Sequence, residues 1–202
     1  MPRRSSRSAE PELFPPTSAY PDGLAYARDF LAAEEEAELL ATIATLPFSH
    51  SQYREYTAKR RTVSYGASYD FATNRPLPAP PVPDWLCPLR ERVATWTATP
   101  IDDFAFALVT EYQPGTQLGW HRDVPTFEVV VGVSLAGDAR MRFRPWPATA
   151  RPRRAAFHLD LRPRSAYVLR GDARWRWQHA ISPTKAVRYS ITFRTGRITS
   201  RP

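Results

Sequence analysis

Apolar residues return at helical spacing in two stretches of the first half of the chain. Over residues 34–46, Ala37, Leu40, Ile43 and Leu46 recur every three positions, which predicts an amphipathic helix with one face for a core. Glu34, Glu35, Glu36 and Glu38 load its first turns, where the free backbone N–H groups favour anions. A second helix is predicted over 85–98, with Leu86, Leu89, Val93 and Trp96 on one side and Asp84 placed to cap it. Pro88 falls in its first turn, where a missing N–H costs little. Residues 49–83, between the helices, mix aromatics with many prolines and read as irregular strands and loops.

From Phe104 onward the pattern shortens to β-rich runs at 104–112, 127–135, 140–144, 155–161, 165–169, 177–181 and 188–195. Pro114-Gly115, Ala136-Gly137-Asp138 and Arg170-Gly171-Asp172 break them. Roughly seven or eight strands at such spacing predict a mainly β fold with flanking helices, a sandwich or jelly roll. Residues 1–22, rich in Pro, Ser and Arg without an apolar period, read as a flexible leader. A single domain is expected over 23–202, with its helices in 23–103 and its β core in 104–196.

Composition narrows the class. With 43% apolar and 12% aromatic residues among 202, the chain has the content of a globular protein. It lacks the roughly 18 consecutive apolar residues of a membrane span, and the first residues lack the apolar core of a signal peptide. No membrane association, a cytoplasmic location and no obligate protein partner are expected. Cys87 is the one cysteine, so no internal disulfide can form. The charge of +8 is unevenly spread: from Ala139 to Pro202, fifteen arginines and one lysine face only Asp160 and Asp172, a net of +14 that leaves −6 elsewhere. Such a half suits a polyanionic partner.

The candidate chemistry lies in the β-rich half. His121 and Asp123 stand two residues apart, so on an extended backbone both side chains point to one side. His179, on a later predicted strand, is the best third ligand. His50, in a polar stretch, and His158, alternating with Phe157 and Leu159, read as structural. Two imidazoles and a carboxylate on one face of an octahedron suit iron(II) with open positions, and zinc accepts the same three. The run from Arg188 to Arg194 separates these options. Its alternation puts Arg188, Ser190, Thr192 and Arg194 on one face, and arginines facing an interior need an anion. A dicarboxylate would serve, with Arg188 on its distal end and Arg194 on the end near the metal.

Tyr112-Gln113-Pro114-Gly115, then His121-Arg122-Asp123, then His179, then Arg188-Tyr189-Ser190-Ile191-Thr192-Phe193-Arg194 resemble, in order and spacing, the AlkB family of iron(II)- and 2-oxoglutarate-dependent dioxygenases. The resemblance spans roughly 23–196. It implies a double-stranded β-helix (a cupin-like jelly roll), with iron(II) at His121, Asp123 and His179, and with 2-oxoglutarate and dioxygen as cosubstrates. It further implies Tyr112, Arg188, Ser190 and Arg194 around the oxo-acid and a lid over the substrate from residues 61–71. Thr110 and Ser190 stand where DNA-repairing members commonly carry Asn. Pro125 replaces an acidic residue that often contacts the damaged base.

On that resemblance the expected reaction is oxidative N-demethylation of alkylated nucleobases in DNA or RNA. Tyr65, Tyr69, Phe71 and Trp120 are the aromatics expected to stack on an extruded base. The same chemistry on a methylated protein or small molecule is the alternative, favoured by Pro125. A basic nucleic-acid-binding module without catalysis is a third.

Overall fold

A computed structural model describes residues 20–53, 56–70, 75–147 and 156–196. Its core is two antiparallel sheets laid face to face. The larger has seven strands, in the order β1 (Leu24–Ala27), β11 (Ala166–Leu169), β8 (Phe127–Leu135), β13 (Arg188–Gly196), β6 (Phe106–Tyr112), β3 (Tyr56–Tyr65) and β2 (Ser49–Tyr53). The smaller has four: β10 (Phe157–Leu161), β9 (Ala139–Pro145), β12 (Trp177–Ile181) and β7 (Leu118–His121). A separate hairpin pairs β4 (Ala67–Asp70) with β5 (Arg75–Pro78). The expected jelly roll is the observed architecture, and β8 and β12 run between the bounds read from their apolar pattern.

The helices cover one face of the larger sheet. α1 (Ala33–Ile43) and α2 (Cys87–Thr97) bury Ile43, Leu89 and Val93 against Val109, Val131, Val133, Ile191 and Phe193. Leu40, Ile43 and Leu46 of the first predicted stripe and Leu86, Leu89, Val93 and Trp96 of the second are the packing faces, while Ala37 is exposed and Leu39 packs in its place. Their ends differ from expectation. Asp84 caps nothing: residues Asp84–Leu86 form a 3-10 turn, and neither it nor α2 has a side-chain cap. α1 starts instead with Glu35 reaching back to accept from the Ala32 N–H at 2.8 Å, while Arg92 of α2 grips the same carboxylate. That guanidinium, with the Ala32 N–H, holds the Glu35 pKa down at about 2.

The second core fills the space between the sheets with Val130, Met141, Phe143, Leu159, Leu161 and Leu169. β9 shows why. Its residues alternate buried and exposed, so Ala139, Met141, Phe143 and Pro145 enter the core while Arg140, Arg142 and Arg144 stand outside. Residues 56–65, expected among irregular strands and a lid, are a full strand of the larger sheet, with Arg61 opposite Glu111 and Tyr65 opposite Ala107. Gly171–Trp175, read as a break, is a short helix, α3.

Candidate metal centre

β7 and β12 are edge neighbours, and their register sets His121 directly opposite His179. The two rings stand 4.3 Å apart between centroids. Asp123 follows in the irregular segment between β7 and the turn at Pro125–Thr126, and one donor atom from each of His121, Asp123 and His179 lies within 4.8 Å of the other two. Asp123 Oδ2 is 3.5 Å from His179 Nε2. Three donors around a space of one ion's size, drawn from a two-histidine-one-carboxylate set, fit iron(II) with open positions. His121 Nδ1–H donates to the Gly119 carbonyl at 2.9 Å, which fixes the ring and leaves Nε2 for a ligand role.

The surroundings favour the charge states a metal needs. Burial disfavours charge on Asp123, but Arg194, the two imidazoles and Arg174 more than offset it and hold the carboxyl below its usual range. His179 is depressed to about 3, by burial first and His121 second. Near neutral pH its imidazole is therefore neutral and free to bind.

Arg188 shows what else the site takes. Its side chain is 1% exposed, Nε donates to Ser134 Oγ at 3.0 Å, and the guanidinium lies 4.9 Å from the Tyr112 ring centroid. Nη1 is buried with no hydrogen-bond partner. A fixed cation left unanswered in an interior is costly unless a ligand anion completes it, and a carboxylate matches its fork. Ser190 and Tyr112 sit beside it, the first opposite Thr110 and Ser134 and the second opposite Arg188 itself. An anion cradle within the same interior argues for an oxo-acid cosubstrate over hydrolytic zinc.

Arg194 has a partner within the protein that its sequence did not indicate. Its Nε lies 3.4 Å from Asp123 Oδ1, so it stands at the metal end of the strand and braces a metal ligand.

Three further residues belong to the site. Arg174 of α3 is 2% exposed, and its Nη2 donates to the carbonyls of Asp123, Val124 and Phe127 at 3.1, 2.7 and 2.9 Å. It thus pins the turn that presents Asp123. Tyr167 lies over Gly132, where an added Cβ would come within 2.4 Å of its ring. Burial, and next the Asp123 charge, push its phenol above the usual range. Ser134 orients Arg188. The sequence held no signal for Arg174, because α3 is five residues long with no period.

The expected substrate aromatics are scattered. Tyr65 is buried among the helix-side core, edge-on to Trp85, and so lies on the opposite face of the larger sheet from Arg188. It does not join the site. Trp120 precedes His121 on β7 and therefore points to the other side of the smaller sheet, where Arg142 and Arg144 stack on it. Tyr69 falls in the β4–β5 hairpin, and Phe71 lies outside the described residues. Arg61, expected in a lid, pairs bidentately with buried Glu111 at 2.5 and 2.9 Å.

Comparison with known proteins gives the same picture. The model of the 2OG-Fe(II) oxygenase superfamily matches residues 23–199. A mouse protein named tRNA (carboxymethyluridine(34)-5-O)-methyltransferase ALKBH8 is 26% identical over 90% of this chain and 28% of its own length. An Arabidopsis thaliana protein named alkylated DNA repair protein ALKBH8 homolog is 28% identical over 79% of this chain and 50% of its own. The chain thus spans between about a quarter and a half of these relatives. The solved structure of OsALKBH1 superposes with a TM-score of 0.66 at 16% identity, covering 86% of this chain and 98% of that one. Among the described residues no helix is long and apolar enough to cross a membrane.

Proposed function

The chain belongs to the 2OG-Fe(II) oxygenase superfamily and within it to the AlkB family, and from that premise we propose that it removes N-alkyl groups oxidatively from the bases of nucleic acid. The reaction type rests on the buried, half-satisfied Arg188 sharing an interior with the His121, Asp123 and His179 donors. The target rests on relatives whose names specify tRNA and alkylated DNA, and on the +14 carried by residues 139–202.

Iron(II), with 2-oxoglutarate and dioxygen, supplies the oxidising chemistry that hydroxylates the alkyl carbon next to nitrogen. The protein supplies order. His121, Asp123 and His179 would hold the ion on one face, leaving the opposite positions for small ligands. Arg188, oriented by Ser134, would take the far carboxylate of the oxo-acid, with Tyr112 and Ser190 alongside. Arg194 and Arg174 keep Asp123 ionised and aimed. On an N-methyl substrate the hydroxymethyl product releases formaldehyde when its C–N bond breaks, and the base nitrogen recovers a proton. Tyr69 and Phe71 remain our choices for aromatic contacts with the base, and the cytoplasm for the place of action.

Formaldehyde and succinate release should be measured with single strands of DNA and RNA carrying 1-methyladenine or 3-methylcytosine, beside methylated peptides. Turnover of a strand that disappears in His179→Ala supports the proposal. Turnover confined to peptides refutes the nucleobase target, the outcome that Pro125 would favour.

A further inference from the structure

The outer face of the smaller sheet, behind the metal centre, carries an arrangement that catalysis does not use. Exposed Arg142 and Arg144 project from β9, and their guanidiniums lie 5.1 and 4.5 Å from the centroid of the Trp120 ring. Arg144 Nε also donates to Gln178 Oε1 at 2.8 Å. Beside them exposed Arg122 lies 5.2 Å from the ring of Trp146, which is 40% exposed. Among the described residues none of these three guanidiniums pairs with a carboxylate. Their neighbour Arg140 does, with Asp160 at 2.9 Å.

Stacked guanidiniums are oriented before any partner arrives; Arg122 Nη1 donates to the Trp175 carbonyl at 3.1 Å and Arg144 Nε to Gln178, which holds both in place and leaves their remaining N–H groups for a ligand. Unpaired and close together, they repel one another, so the face is completed by anions at intervals rather than by one small ion. A half-exposed tryptophan beside them adds a surface for a flat ring. Phosphates linked by a backbone that carries stackable bases match both features. The location adds to this: Trp120, Arg122 and Gln178 are chain neighbours of His121, Asp123 and His179, so a strand on this face would leave it at the rim of the metal centre.

We infer that Arg142, Arg144, Trp120, Arg122 and Trp146 form a docking surface for single-stranded nucleic acid, separate from the pocket that would receive the reacting base. Its use as a tether for substrate rests on the demethylase reading; its binding of a strand does not.

The test is fluorescence anisotropy of a labelled, unmethylated strand of roughly 20 nucleotides, RNA and DNA in turn. The full chain is used without iron or oxo-acid, at salt from about 50 to 200 mM. Arg142→Gln with Arg144→Gln should weaken binding about tenfold or more at low salt. It should also flatten the slope of log affinity against log salt by about 1.4, since each neutralised phosphate on a single strand contributes about 0.7. Arg142→Lys with Arg144→Lys should keep the slope, which separates charge from misfolding. An unchanged affinity and slope in the glutamine variant overturns the surface. So does displacement of the strand by poly-glutamate as readily as by unlabelled RNA, because then any polyanion would do. Turnover of methylated strands with binding unaffected by these substitutions would refute the surface and spare the demethylase. Binding lost in the glutamine variant, with no strand turned over by the unmodified chain, would do the reverse.

Discussion

Replacing Arg174 with methionine keeps the length and bulk of the side chain and removes its donors. Three carbonyls, of Asp123, Val124 and Phe127, lose a shared charged donor at 2.7–3.1 Å. A hydrogen bond to a charged group contributes about 1.5–3 kcal/mol, but bonds made by one nitrogen are not additive, so we set the whole at about 3 kcal/mol. Burial lowers the pKa of Arg174, which means that the fold already bears a desolvation cost for this cation and that methionine recovers part of it. The net loss of stability should then be small, about 1 kcal/mol, while the turn carrying Asp123 loses its fixed position. Metal affinity reads that second effect. With cobalt(II) as a spectroscopic stand-in, the variant should bind about tenfold or more weakly, since about 1.4 kcal/mol corresponds to a factor of ten. Arg174→Lys, which restores a donor and a charge, should recover part of the loss. A methionine variant that unfolds at the same urea concentration and binds cobalt(II) as tightly as the original would refute the role given to Arg174.

Other parts of the structure give equally direct expectations. Gly132→Ala puts a methyl group within 2.4 Å of the Tyr167 ring, so it should cost about 1–3 kcal/mol in urea unfolding and raise the 2-oxoglutarate KM; Tyr167→Leu in the same chain should relieve the stability loss. Arg61→Ala leaves Glu111, only 4% exposed, without its bidentate partner. The variant should therefore unfold at a lower urea concentration, with Glu111→Gln in the same chain recovering most of the loss. The metal-free protein should lose stability as pH falls. The folded His179 pKa of about 3 lies below the unfolded value near 6.5, so its contribution is full above about 6.5 and is lost as pH drops toward 3. Chemical denaturation in chelator should show this decline, and His179→Leu should flatten it.

Strand parity made much of this legible in the sequence. Alternation puts Arg188, Ser190 and Arg194 on one face, as the registers of β13 have them; His121 and Asp123 do meet at one ion-sized space, although β7 ends at His121 and Asp123 lies beyond the strand. Trp120 was open to the same logic, because a residue next to a metal ligand on a strand must point away from it. Tyr65 was not, since residues 49–83 gave no register and a strand with unknown neighbours has no known inside. The partner of Arg194 depended on where the irregular segment after His121 placed Asp123, and the role of Arg174 on the packing of a helix too short to announce itself. Asp84 has the residue type of a cap, but the chain begins α2 through a 3-10 turn instead.

β13 is read from both sides: Tyr189, Ile191 and Phe193 belong to the helix-side core, and Arg188, Ser190 and Arg194 to the interior between the sheets. Substitutions along it can be absorbed one at a time. A lost or gained codon between 188 and 194 cannot, because it would turn the remainder of the strand over, aiming guanidiniums at α1 and α2 and aromatic rings at the ion. Length drift in descendants of this enzyme is therefore confined to its connections, and any new taste in substrates must arise there or on its outward-facing surfaces.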